Sequence, residues 1–113
     1  MTALTGKKCA PCSGESGPLA GEALQQMRNQ LSAWDLVDGH HLTRTFRFRD
    51  FAGGLAFVNR VGELAEKEAH HPDICLSWGK VRIELWTHKV NGLTENDFIL
   101  AAKIDQLPTE RNL

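Results

Sequence analysis

The sequence of 113 residues predicts an α+β domain, a four-stranded antiparallel sheet with helices packed on one face. Three observations support this class. Two pairs of short alternating segments are joined by tight turns, three segments have apolar residues at helical spacing, and the length fits a single core. The elements follow one another in the order α-β-β-α-β-β-α. Strands joined by tight turns pair antiparallel, so the sheet is expected to consist of two hairpins.

Three segments carry the apolar spacing of helices. The first spans about residues 19–31 and the second about residues 51–69. The second must end before Pro72, because a proline disfavours the helical conformation in the residue before it. The third spans about residues 95–106 and begins at Thr94-Glu-Asn-Asp97, which resembles a capping box with Asp in place of Glu.

Four segments are predicted to be strands: residues 34–37, 42–49, 74–78 and 81–87. Asp38-Gly39 is typical of a hairpin turn between the first two strands, and Gly79-Lys80 of a turn between the last two. Side chains of the fourth strand alternate between an apolar face with Val81, Ile83 and Leu85 and a second face with Arg82, Glu84 and Trp86. The apolar face is expected to carry the helices.

The domain is expected to span residues 18–107, between a flexible N-terminal leader (1–17) and a C-terminal tail (108–113). The leader contains the pair Cys9-Ala-Pro-Cys12. A zinc site would need two further ligands, and the third cysteine, Cys75, stands alone in a predicted strand. The leader is therefore interpreted as a mobile arm without a metal or redox role.

Composition excludes several classes of function. Thirteen basic and fourteen acidic residues give a formal charge of −1, so no surface for nucleic acid is indicated. No apolar run reaches the roughly 20 residues of a membrane span, and no secretory signal is recognised. Three cysteines do not make a disulfide framework, so a cytoplasmic location is expected.

Three of the five histidines are predicted to converge. His70 and His71 end the second helix just before the third strand, and His88 ends the fourth strand. Antiparallel pairing brings the end of the fourth strand beside the start of the third. Histidine exchanges protons near neutral pH, with an unperturbed pKa of about 6.5, so the convergence indicates either proton transfer or a metal site.

Acid–base chemistry is the favoured interpretation. Glu66 lies four residues before His70, so a helix that persists would bring the carboxylate to the imidazole and orient it. A polar cap at the end of the helix is the structural alternative. Zinc is the chemical alternative, but consecutive histidines at a kinked backbone seldom aim at one ion, and no HExxH pattern exists. We therefore expect no metal.

Three further aromatic side chains lie outside the predicted core. Trp86, on the face opposite the apolar one, could stack on a flat ligand or fill a contact between subunits. His40 and His41 follow the first hairpin turn and are interpreted as surface residues without function.

The residues around the histidines resemble the signature of the pterin-4a-carbinolamine dehydratases. The resemblance lies in Glu66-Lys-Glu-Ala-His70-His71-Pro72, Trp78, Thr87-His88 and Asp97 at their spacings, with Trp34 and the segment 91–98 in support. It covers about residues 18–107. It implies the same fold and a hydro-lyase without cofactor or metal. Such an enzyme converts 4a-hydroxytetrahydropterins, by-products of aromatic amino acid hydroxylases, to quinonoid dihydropterin in tetrahydrobiopterin recycling.

The resemblance also implies roles for individual residues. His70, His71 and His88 would be catalytic, with His70 and His88 as acid and base in either order. Substrate binding or orientation of the histidines would fall to Glu66, Pro72, Trp78, Trp86, Thr87 and Asp97. Some members carry an acidic residue or Asn directly before the histidine pair, where this chain has Ala69.

Association is expected as well. The sheet has edges, and the second helix carries more apolar surface than one small core absorbs, so a homo-oligomer, a dimer or a tetramer, is predicted. The pterin dehydratase family includes a member that is also a dimerisation cofactor of a homeodomain transcription factor. The alternative function is therefore a protein-binding module that uses the surface of the second helix.

Overall fold

The structure, a computed structural model, describes residues 4–10 and 17–108. Three helices and four strands occur in the predicted order. They are α1 (Gly21–Arg28), β1 (Asp35–Val37), β2 (His41–Arg47), α2 (Phe51–Glu68), β3 (Asp73–Ser77), β4 (Lys80–Leu85) and α3 (Glu95–Asp105). Cys12 and nearly all of the predicted C-terminal tail lie outside the described residues. Within them, no helix is both long and apolar enough to cross a membrane.

The four strands form one antiparallel sheet in the order β1-β2-β4-β3. Each predicted hairpin is present, with Leu36 opposite Leu42 in the first and Leu76 opposite Val81 in the second. The hairpins join through β2 and β4, which leaves β1 and β3 as edge strands. The predicted α+β class is confirmed.

The core lies between one face of the sheet and the helices α2 and α3. Buried sheet residues are Leu42, Phe46, Val81, Ile83 and Leu85, and buried helix residues include Phe57, Val61, Phe98, Leu100 and Ile104. Burial of each large apolar side chain contributes roughly 1.5–3 kcal/mol. The side chains predicted to form the apolar face of the fourth strand, Val81, Ile83 and Leu85, are therefore the ones that are buried.

Helix α2 begins at an Asp50 cap, whose side chain accepts a hydrogen bond from the Gly53 amide at 2.8 Å. It ends at Glu68, because Ala69 adopts the left-handed conformation with φ 55°. This conformation costs an alanine about 1–2 kcal/mol, and Asn or Asp adopts it more readily. The helical path therefore stops before His70.

The leader prediction placed residues 1–17 outside the core, but the described part of this segment packs on the domain. Leu4–Gly6 forms a 3₁₀ turn, and Leu4 is only 5% exposed within the core cluster. Lys7 forms an ion pair of 2.6 Å with Glu95 at the start of α3. Residues 4–10, called the N-terminal arm below, thus pack on the domain because Leu4 supplies an apolar anchor. The domain limits at 18 and 107 stay predictions.

A buried ion pair joins α2 to α3 beneath the N-terminal arm. Glu68 Oε2 accepts a hydrogen bond from Lys103 Nζ at 2.8 Å, and Glu68 Oε1 accepts one from the Cys9 amide at 2.9 Å. Burial alone would raise the pKa of Glu68, but these hydrogen bonds and the charges of Lys103 and Lys8 outweigh it and lower the pKa. The ionised carboxylate therefore stabilises the fold.

The lowered pKa of Glu68 predicts that the free energy of unfolding depends on pH. A carboxylate with a lowered pKa stabilises the fold above its ordinary value of 4.5, and that contribution is lost as the pH falls through the lowered pKa. Lys103→Met should lower the free energy of unfolding by about 2–3 kcal/mol at neutral pH, because Glu68 would be left buried and unpaired. The loss should shrink in acid, where Glu68 is protonated.

Urea unfolding of the wild type and of Lys103→Met, at neutral pH and at a pH below the ordinary Glu pKa of 4.5, measures the loss of stability in each condition. Lys80→Met, at an exposed position at the start of β4, is the matched control and should change the free energy of unfolding by less than about 0.5 kcal/mol. An equal loss at neutral and acid pH in Lys103→Met would contradict the assignment of the stabilisation to ionised Glu68.

Candidate functional site

A cleft of about 690 Å³ opens where α2 ends, β4 ends and α3 begins. Its lining includes five residues that the sequence singled out: His70, His71, Trp86, Thr87 and His88. Ligand sites for small molecules have volumes of about 300–1,000 Å³, so the cleft can hold a bicyclic heterocycle. The three histidines predicted to converge do line one cavity.

The Asp97 carboxylate lies directly behind this cleft and is fully buried. Its Oδ1 lies 2.6 Å from His70 Nε2. Its Oδ2 accepts hydrogen bonds from Thr87 Oγ1 at 2.8 Å and from the Thr94 amide at 2.9 Å. The last bond belongs to the predicted capping box of α3. One carboxylate thus joins a histidine, the end of β4 and the start of α3.

The partner of His70 differs from the one predicted. The i, i+4 spacing suggested Glu66, but the structure pairs His70 with Asp97. The prediction was wrong because α2 ends at Glu68 and the left-handed Ala69 turns the chain away from the helical path. An ionised carboxylate can only accept a hydrogen bond, so Nε2 of His70 carries the proton in this pair. The hydrogen bond to Asp97 therefore uses Nε2 of His70 and not Nδ1. The His70 side chain is 12% exposed, at the wall of the cleft.

Glu66 contacts His71 instead. His71 Nε2 lies 2.5 Å from Glu66 Oε2, and the two side chains are 61% and 79% exposed. A pair this exposed is screened by water and contributes at most about 1 kcal/mol. It therefore orients the ring of His71 at the rim of the cleft without adding much stability.

His88 is held by the loop that follows β4. The amide of Thr87 donates to the Gly92 carbonyl at 2.8 Å, which closes the loop. The ring of His88 lies 4.6 Å from that of Trp86, measured between centroids. Because Thr87 is hydrogen-bonded to Asp97, the loop that carries His88 is held in place by the same carboxylate that orients His70.

His40 and His41 are not the surface residues that the sequence suggested, and whether they are without function stays a prediction. Both are half-buried, and their rings lie 5.6 and 6.0 Å from the ring of Trp86. His40 Nε2 lies 3.0 Å from Asn91 Oδ1 in the loop that carries His88. They contact Trp86 because the start of β2 pairs with the end of β4, Leu42 opposite Leu85.

Four residues implied by the resemblance are not among those that line the cleft: Glu66, Pro72, Trp78 and Asp97. Glu66 and Asp97 contact the lining histidines, as described above, whereas Pro72 and Trp78 do not serve the cleft in that way. Trp78 lies in the β3–β4 turn, at the end of the hairpin away from the histidines, and is 71% exposed. Pro72 follows His71 but is absent from the cleft wall. For Trp78 the reason is the direction of β3, which carries the chain away from the cleft before residue 78 is reached.

Several residues without a predicted role also line the cleft: Lys8, Cys9, Ala10, Lys67, Glu68, Lys89 and Asn96. Burial, then the charge of Glu68, raises the pKa of the Cys9 thiol to about 12. The thiol is thus protonated at neutral pH, and a nucleophilic role is disfavoured. The Cys9-x-x-Cys12 spacing did not predict this position, because it is the packing of the N-terminal arm on α3 that brings Cys9 to the cleft.

Metal binding was the open alternative for these side chains. Within residues 4–10 and 17–108, no group of three or more His, Cys, Asp or Glu side chains is arranged to hold an ion. The Nε2 atoms of His70 and His71 each face a carboxylate.

Comparison with known proteins fits this geometry. Residues 17–107 match the family described as pterin 4 alpha carbinolamine dehydratase. The chain belongs to this family. A curated protein of Rubrobacter xylanophilus, named "Putative pterin-4-alpha-carbinolamine dehydratase", is 56% identical over 107 residues, 95% of this chain and 100% of that one. A protein of the same name from Alkaliphilus metalliredigens is 48% identical over 111 residues, 97% and 100% of the two chains.

Two solved structures share the fold. The crystal structure of a transcriptional coactivator/pterin dehydratase from Brucella melitensis has a TM-score of 0.72 at 33% identity, over 79% of this chain and 96% of that one. A pterin dehydratase-like protein identified as a RuBisCO assembly factor in the alpha-carboxysome has a TM-score of 0.55 at 25% identity, over 65% and 86%. The titles of these two structures describe, for those proteins, a coactivator role and an assembly role.

Proposed function

We propose that this protein dehydrates a 4a-hydroxytetrahydropterin to a quinonoid dihydropterin and water. The observation that carries the proposal is the Asp97 carboxylate, which orients His70 directly and ties down the His88 loop through Thr87, so that both rings line one cleft. Membership of the pterin 4 alpha carbinolamine dehydratase family supports the choice of substrate.

The reaction needs two proton movements. The C4a–O bond breaks with its electron pair on oxygen, and a proton delivered to that oxygen completes the water. Loss of a proton from a ring nitrogen supplies the electron pair of the new carbon–nitrogen double bond. Each transfer by a positioned side chain is worth roughly 10²–10⁴ in rate.

We assign these transfers to His70 and His88, as acid and base in either order. Asp97 holds the proton on Nε2 of His70, so Nδ1 is the nitrogen that can exchange a proton with the substrate. His71, oriented by Glu66 at the rim, binds the pterin or assists the transfer. Trp86, which lines the cleft beside His88, offers an aromatic face for stacking.

A homo-oligomer belongs to the proposal. Phe51 and Leu55, four residues apart on α2, are 44% and 43% exposed, and Trp78 is exposed in the turn after β3. The amide of Phe48 donates to the Gly79 carbonyl, which brings this turn beside the start of α2. An apolar patch beside the open edge of β3 favours a two-fold dimer.

A protein-binding module is the second candidate function. The same apolar patch of Phe51, Leu55 and Trp78 favours it, and the titles of the Brucella melitensis protein and the carboxysome protein describe such roles for those proteins. The histidine cleft lies at the other end of the β3–β4 hairpin, so a partner on the patch would leave the cleft open.

Removal of either of the two histidines tests the assignment of the proton transfers. His70→Ala and His88→Ala should each lower the rate of 4a-hydroxytetrahydropterin dehydration by about tenfold or more, because each removes a proton-transfer group. Absorbance of the pterin, recorded with and without enzyme, measures the rate. Lys80→Ala, at the exposed start of β4 away from the cleft, is the control and should keep the wild-type rate. Wild-type rates in both histidine variants, with unchanged circular dichroism, would refute the assignment.

Activity should survive exhaustive treatment with a chelator, because no group of three or more His, Cys, Asp or Glu side chains within residues 4–10 and 17–108 is arranged to hold an ion. Elemental analysis of the purified protein accompanies the assay. Stoichiometric zinc whose removal abolishes turnover would replace histidine acid–base catalysis with metal-assisted chemistry.

The mass of the protein in solution tests the proposed oligomer. Size-exclusion chromatography with light scattering should give a dimer or larger oligomer at micromolar concentration. Leu55→Glu should shift it toward monomer, because a charge would be buried in the apolar patch. Gln26→Glu, exposed on α1, is the control and should leave the mass unchanged. A wild-type monomer would count against the oligomer.

A further inference from the structure

The turn of the first hairpin fixes the backbone of His40. Asp38 and Gly39 have φ values of 54° and 65°, and the His40 amide donates to the Val37 carbonyl at 2.9 Å. A two-residue turn with both φ angles positive matches the twist of a hairpin. The point from which the His40 side chain extends is therefore set by the hairpin itself.

The His40 side chain contacts the loop that carries His88 (residues 87–92, called the His88 loop). His40 Nε2 lies 3.0 Å from Oδ1 of Asn91. Asn91 is in the left-handed conformation, with φ 50°, and its amide donates to the His88 carbonyl at 3.2 Å, which ends the 3₁₀ turn His88–Val90. Because this turn is so short, a change in the position of Asn91 also changes the position of His88.

The neighbouring histidine selects the tautomer of His40. An amide oxygen only accepts hydrogen bonds, so Nε2 of His40 carries a proton. Nδ1 of a neutral His40 is then an acceptor, and it lies 3.1 Å from Nδ1 of His41, which donates. On β4, Glu84 Oε2 lies 3.9 Å from Nε2 of His41 and 4.0 Å from Nε of Arg82. The histidine pair thus holds His40 in the tautomer that donates to Asn91.

His88 depends on its loop for its position. The residue is exposed, and its ring packs against that of Trp86 at 4.6 Å between centroids. Thr87, at the start of the loop, is hydrogen-bonded to Asp97. His40 supports the other end of the loop. The loop is therefore held on both sides of His88, by a carboxylate on one side and by an imidazole on the other.

We propose that His40 is a positioning residue for the dehydration, which holds His88 in place through Asn91 while His41 keeps the required tautomer. The inference rests on the proposed dehydratase function, because it assigns a further residue to the same reaction. Neither His40 nor His41 is among the residues that line the cleft, so neither touches the substrate. The sequence predicted that both are without function, and the kinetics of His40 variants distinguish the two possibilities.

Two substitutions separate the hydrogen bond of His40 from its bulk. His40→Leu keeps an apolar side chain beside Trp86, whose ring lies 5.6 Å away, but removes the donor to Asn91. His40→Gln places an amide N–H near the position of Nε2. His40→Leu should lower kcat for a 4a-hydroxytetrahydropterin by about three- to tenfold, the size of one lost hydrogen bond, with KM nearly unchanged. His40→Gln should restore most of the lost kcat.

A double-mutant cycle shows whether His40 acts through His88. In a His88→Ala background, His40→Leu should lower kcat by less than about twofold, because residues that act through one another are not additive. A general disturbance of the fold would instead lower kcat by the same factor in both backgrounds. Thr45→Leu, exposed further along β2, is the control and should leave kcat unchanged in both.

The outcomes separate the two proposals. The wild type can dehydrate the pterin while His40→Leu keeps its kcat, loses the same factor in both backgrounds, or is matched in its loss by His40→Gln. Any of these three results overturns the positioning role and leaves the dehydratase proposal standing. If the wild-type protein does not accelerate dehydration at all, the proposed function falls and the inference falls with it.

Discussion

The buried carboxylate of Asp97 is the constraint on which the site depends. A carboxylate without water must have its oxygens occupied by donors, because an unpaired buried charge costs several kcal/mol. His70, Thr87 and Thr94 supply those donors. They come from the segment after α2, the end of β4 and the start of α3, so one group fixes three parts of the chain relative to one another. The geometry of the cleft is a consequence of satisfying this carboxylate.

The two carboxylate–histidine pairs differ in what they can do. His70 and Asp97 are buried, so their hydrogen bond holds one tautomer and one ring orientation. His71 and Glu66 face water, where the same contact contributes little to stability. His88 has a third kind of support, since its ring packs against Trp86 on a closed loop. The three histidine rings that line the cavity are therefore held in three different ways.

The N-terminal arm links stability with the site. Glu68 accepts from Lys103 on α3 and from the amide of Cys9, so the ion pair that ties α2 to α3 also holds the cleft wall in place. The thiol of Cys9 is kept protonated by the same surroundings. The cysteine that first suggested a metal or redox motif is therefore better understood, in the described part of the chain, as a component of the wall.

The sequence by itself determined the element types and their order, the buried face of β4 and the convergence of His70, His71 and His88. Periodicity and turn residues decide local structure, and antiparallel pairing then brings strand ends together whatever the side chains do. Only the tertiary structure decided that His70 is hydrogen-bonded to Asp97 and that Glu66 is hydrogen-bonded to His71. The reason is the left-handed conformation of Ala69, which ends α2 and changes the direction of the chain before His70. It likewise decided that Trp78 points away from the cleft and that Lys8 and Cys9 reach it. These contacts join residues far apart in sequence or beyond a turn, and spacing along the chain carries no information about such distances.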